Sequence, residues 1–94
     1  MNFDRISQAL VKHACSKLPR SADAVIEQEF GAETARDVRA VYDRAMDCPV
    51  DWISPEMNMD TALGILADFM KAEWPELSPE AKTRLNYCYI MCWK

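Results

Sequence analysis

The stretch that decides the fold is "MDTALGILADFMKAE", residues Met59–Glu73. At ~100° per residue, Met59, Ala62, Leu63, Ile65, Leu66, Ala67, Phe69 and Met70 cover more than half of its circumference. A helix so apolar needs neighbours on several sides. It predicts an all-α fold, a compact bundle of four to five helices with this one central. Asn58 or Asp60 can cap its start, and Pro75 ends it.

Toward the C-terminus, "LSPEAKTRL" opens a further helix that runs to about Trp93. Ser78 stands at the cap, Pro79 at the first helical position and Glu80 in the first turn. Ala81, Leu85, Cys88 and Cys92 form its core-facing stripe. Tyr87, Ile90, Met91 and Trp93 lie off that stripe and call for cover of their own.

Toward the N-terminus the helical period breaks. Residues 47–58, "DCPVDWISPEMN", hold two prolines and form a long loop before the apolar helix, with a single helical turn starting near Ser54. Structureless loops of about twelve residues are uncommon in compact domains and are often functional. Before it, residues 33–46 make an amphipathic helix with an apolar stripe of Ala35, Val38, Val41, Tyr42, Ala45 and Met46. Arg36, Asp37, Arg39, Asp43 and Arg44 make its wet face, where Arg39 and Asp43 are spaced to pair.

Ser21 is positioned to cap "ADAVIEQEF", in which Ala22, Val25, Ile26 and Phe30 share one side. Gly31 follows as a stop, or as a bend in one longer helix. Residues 3–18 make the first helix, with Phe3, Ile6, Leu10, Val11, Ala14 and Leu18 on its apolar face and Pro19 as terminator. The 94 residues suit one domain, 1–94, with a modest core. Two glycines in the whole chain argue against a many-turned β protein.

Charge is unevenly spread. Residues 1–20 hold four bases and one acid, residues 21–60 ten acids and three arginines, and residues 61–94 four of each sign. The acidic middle disfavours a nucleic-acid backbone and favours a basic partner. A purely solubilising face is the plain alternative. The N-terminus has an acid at position 4 and no apolar core, so it is not a secretory signal, and a cytoplasmic home is expected.

Chemistry-bearing patterns are sparse. Cys88 and Cys92, four apart on a helix, can face one way, but no C-x-x-C knuckle accompanies them. His13 and Cys15 stand ~200° apart and cannot chelate one ion from a regular helix. A thiol pair at a helix C-terminus is not activated by the dipole. A dyad of His13 with Cys48 has no support in spacing. No phosphate loop and no H-E-x-x-H is present. No cofactor and no metal is therefore expected.

What remains is a binding surface. In the 47–58 loop, Trp52 sits among Asp47, Asp51 and Glu56, with Asp43 one turn before. An aromatic anchor in a charged rim has the composition of a binding hot spot, and the acids would steer a basic partner. Trp52 could equally be a lid on the small core. The expected function is a non-enzymatic protein-binding module, an inhibitor or immunity-type protein that occludes a basic enzyme or toxin. The alternatives are a small helical nucleic-acid-binding regulator and, behind it, a metal-binding or thiol-dependent enzyme. Ile90, Met91 and Trp93 form a candidate patch for a homodimer.

Overall fold

The computed structural model describes residues 2–14 and 17–93, the side chains of Cys92 and Trp93 excepted. Among these residues all regular structure is helical: α1 (Phe3–His13), α2 (Ser21–Phe30), α3 (Ala32–Met46), α4 (Met59–Glu73) and α5 (Pro79–Trp93). The Cα trace fills a slab of 45 × 25 × 17 Å. No helix among the described residues is long and apolar enough to cross a membrane.

Helix α1 starts where Asn2 accepts from the Arg5 N–H at 3.2 Å. It ends earlier than the first proline implies. Ala14 is already extended, at φ −88° and ψ 99°, although its N–H still reaches the Leu10 carbonyl at 2.9 Å. The link that follows is held from α3. The Arg39 guanidinium donates to the Leu18 carbonyl at 2.9 Å and to the Pro19 carbonyl at 3.0 Å. Those oxygens face an outside donor, and the residue before a proline disfavours helical backbone. Leu18 is buried all the same, so the connecting segment itself contributes to the core. Cys15 and Ser16, which the wheel assigns to this helix, lie outside the described residues.

Ser21 does not cap α2. It is the first helical residue, preceded by Arg20 with no side-chain cap, and the first turn is closed by Pro19 and Arg20 carbonyls. Val25 is exposed, and the buried side chain of α2 is Ile26. Gly31 settles whether α2 and α3 are continuous. It stands between them at φ 95° and ψ 160°, a region open only to glycine, so two separate helices meet at one residue. A Cβ added at Gly31 meets nothing within 4 Å, so alanine there would suffer backbone strain without a clash. Gly31→Ala is expected to cost about 2 kcal/mol. Thermal unfolding should show this as a melting temperature lower by about 10 °C.

Helix α3 buries Ala35, Val38, Val41 and Ala45 as its stripe requires. Its Arg39, assigned by the wheel to the wet face, turns inward and is only 12% exposed. The carbonyls of the α1–α2 link and the Asp23 carboxylate draw it in. Asp23 accepts from Arg39 Nη2 at 2.6 Å and from Nε at 3.2 Å. The ring of Tyr42 lies 5.5 Å from the same guanidinium.

Helix α4 has the expected bounds, with Asn58 accepting from the Thr61 N–H at 2.9 Å as its cap. It buries Ala62, Leu66 and Met70 and packs principally along α5. Arg44 ties it to α3 by pairing with Glu73 and lying 5.6 Å from the Phe69 ring. Helix α5 meets α1, α3 and α4. Its inward side chains Ala81, Leu85, Cys88 and Tyr89 are all essentially inaccessible. Ser78 caps it, accepting from the Ala81 N–H at 3.1 Å, and the Ser78 N–H donates to Ser7 Oγ on α1 at 3.0 Å. That bond accounts for the burial of the polar Ser7.

Candidate functional site

The long loop spans residues 47–58, between the end of α3 and the start of α4. It is built outward from three anchors. At its start, the Asp47 and Cys48 N–H groups close onto the Asp43 and Ala45 carbonyls at 3.1 and 3.2 Å. Cys48 is buried, and burial pushes its thiol above its ordinary value, so it packs as a small apolar group. At its end, Asn58 is the cap of α4. Between them, Trp52 is half-buried and stacks on Tyr89 of α5, with ring centroids 6.4 Å apart and planes at 23°.

Within that frame the backbone turns tightly. Asp51 Oδ1 accepts from the Ile53 N–H at 3.1 Å, the side chain bonding its own backbone two residues on. The Ser54 N–H reaches the Asp51 carbonyl at 3.3 Å, and the Met57 N–H reaches the Ser54 carbonyl at 3.1 Å, which is the single turn expected near Ser54. The result is that Ile53 is held out at the apex, 94% exposed. Asp47, Asp51 and Glu56 are exposed in the same loop.

The predicted partner-binding residues therefore fall into three groups. Asp47, Asp51 and Glu56 share the exposed loop. Asp43 is exposed one turn back on α3, with Arg39 Nη1 at 3.9 Å. Trp52 turns its ring to Tyr89, inside the chain. Ile53 was not singled out from sequence, because periodicity is blind in a segment that has none. Its signal was local: an aspartate two residues before it, able to fix its N–H.

No known family, no curated protein and no solved structure matches the chain.

The remaining candidates are placed as follows. Cys88 is buried in the inward stripe of α5, and Cys92 lies outside the described side chains. Among the described residues no three His, Cys, Asp or Glu side chains converge as a metal site would. His13 Nε2 faces Glu29 Oε1 on α2 at 3.2 Å. Glu29 also accepts from Lys12, and that bond, followed by the charges of Lys12 and His13, holds its carboxyl below its ordinary value. Ile90 is half-buried, Met91 is exposed, and the Trp93 side chain lies outside the described ones.

Proposed function

We propose that the chain is a non-enzymatic binding module, an inhibitor or immunity-type protein acting in the cytoplasm that occludes a basic enzyme or toxin. The observation that carries this reading is Ile53. A large aliphatic side chain almost wholly in water, on a loop whose flanks are tied down, is an apolar plug presented at little ordering cost. The exposed carboxylates of Asp47, Asp51 and Glu56 in the same loop would speed encounter with a basic surface. Trp52 contributes by bracing the loop on Tyr89.

The distribution of bases supports the same reading over a nucleic-acid partner. Arg39 is taken up by Asp23 and two carbonyls, Arg44 by Glu73, Lys12 by Glu29 and Arg5 by the Phe30 carbonyl. The other bases face an excess of acid, with ten acids and three arginines over residues 21–60, a balance that disfavours a phosphate backbone.

The test is affinity capture from the source cells with the native chain as bait, followed by titration of the captured protein against variants. Ile53→Asp should weaken binding roughly 30-fold or more, as loss of a hot spot does. Its own thermal unfolding should not move, because the side chain touches almost nothing. Glu56→Lys should slow association and flatten its salt dependence. A captured partner that binds Ile53→Asp with native affinity sinks the proposal.

A further inference from the structure

Two polar residues among the described ones are buried, Ser7 and Thr34. Ser7 receives the Ser78 N–H. Thr34 is 8% exposed, and its hydroxyl has no hydrogen-bond partner among the described residues. A helical threonine can donate to the carbonyl four residues back, as Thr83 does to Pro79 at 3.0 Å. For Thr34 that carbonyl belongs to Phe30, and it accepts from Arg5 Nη2 at 2.6 Å instead. A buried hydroxyl left without a partner carries a desolvation cost that a ligand can offset.

Thr34 lines a groove of about 380 Å³ where α1 and α3 begin. No side chain caps α3 at Gly31. The Gly31 N–H is used by the Glu27 carbonyl at 2.8 Å, and the Ala35 N–H by the Gly31 carbonyl at 3.0 Å. The three N–H groups between them, of Ala32, Glu33 and Thr34, have no partner among the described residues. They stand at the positive end of α3, and all three residues line the groove. Arg5 lines it too, with one guanidinium nitrogen engaged by the Phe30 carbonyl. Glu33 and Asp37, four apart on one side of α3, complete the wall, and neither makes an ion pair among the described residues.

We propose that this groove binds a free α-amino acid, with its carboxylate on the start of α3 and its ammonium on Glu33 and Asp37. The carboxylate accepts from the open N–H groups and from the Thr34 hydroxyl, beside the Arg5 guanidinium. Charge selects a ligand of this kind. Arg5 and the ~0.5 positive charge of the helix end stand against two carboxylates. A bare anion meets Glu33 and Asp37, and a bare cation meets Arg5 and the helix end. A ligand with both charges on neighbouring carbons satisfies both sides. The groove is separated from the 47–58 loop by the whole length of α3, ~22 Å, so the site stands apart from the partner-binding surface.

The experiment is a titration of the full chain, followed by nitrogen–proton correlation spectra, with glycine, acetate and methylammonium at constant ionic strength. Glycine carries both charges and no side chain. It should shift the Ala32, Glu33 and Thr34 amides to saturation, with acetate and methylammonium weaker by about tenfold or more. Thr34→Val keeps the shape and removes the hydroxyl. It should weaken glycine by about tenfold, while the melting temperature without ligand stays the same or rises, because no bond within the chain is lost. Asp37→Asn should weaken glycine and strengthen acetate. Three amides that do not respond to glycine overturn the proposal. So does acetate binding as tightly as glycine, which would make the groove a plain anion site. A Thr34→Val chain that melts lower than the native one, or binds glycine as well, overturns it equally.

Discussion

Replacing Arg39 by methionine is expected to lower the unfolding free energy by about 2–3 kcal/mol, while Arg44→Met costs under about 1 kcal/mol. The two residues sit on the same helix and each pairs with an acid, but their surroundings differ. The Arg39 side chain is 12% exposed and that of Arg44 58%. Arg39 fills one fork with the Asp23 carboxylate and spends its remaining N–H groups on the Leu18 and Pro19 carbonyls. Methionine keeps the aliphatic stem and leaves those three acceptors without their donor, so the loss is the desolvation of orphaned groups and not only of one ion pair. Asp23 is partly open to water, which keeps the figure below that of a fully buried pair. Lysine should recover only part of the loss, because an ammonium cannot reproduce the planar fork. Urea unfolding at constant slope is the measurement. Equal midpoints for Arg39→Met and Arg44→Met would contradict this account.

Two residues apart on α5, Tyr89→Ala is expected to cost about 3–5 kcal/mol and Tyr87→Ala about 0.5 kcal/mol or less. Tyr89 has the largest fully buried side chain among the described residues, and Tyr87 is half in water. Alanine at 89 leaves a cavity the size of a ring in a core closed by α1, α3 and α5. It also removes the surface on which Trp52 lies, so its effect should extend to the loop. Tyr89→Leu separates these two consequences. It refills most of the volume and forfeits mainly the stack, worth about 0.5–1.5 kcal/mol. Hydrogen exchange should then show the Ile53 and Met57 amides less protected, with the helices unchanged. Unaltered exchange at those two amides would mean that the loop holds its shape without Trp52.

How much of this was legible in the sequence depends on the kind of physics involved. Helix α4 and the start of α5 were read to the residue, because an apolar face, an Asn or Ser cap and a proline each act locally. The loop was legible as a break in period. Three features were not. Arg39 looked solvated because a wheel knows only angle, and the acceptors that pull it inward come from the segment around Leu18 and Pro19, twenty residues away. Tyr89 was missed because it lies beside the Leu85–Cys88 stripe rather than in it, and its burial depends on where the loop returns. Ile53 escaped because exposure in a loop is set by turn hydrogen bonds, here the Asp51 carboxylate. The central place expected for α4 is shared out differently: its apolar surface is covered by α5 and by the Arg44 stem, while α1, α3 and α5 pack on one another.

The bond from the Ser78 N–H to Ser7 Oγ joins positions 71 apart in the chain. It marks a seam with a kinetic meaning. The face of α1 that carries Ile6 and Leu10 is closed by α5, the last of the five helices to be made. Until α5 emerges, that face has only α2 and α3 to lean on, and long-range closure of this kind is slow to form. Chains cut before α5 should present a greasy N-terminal helix to chaperones and proteases.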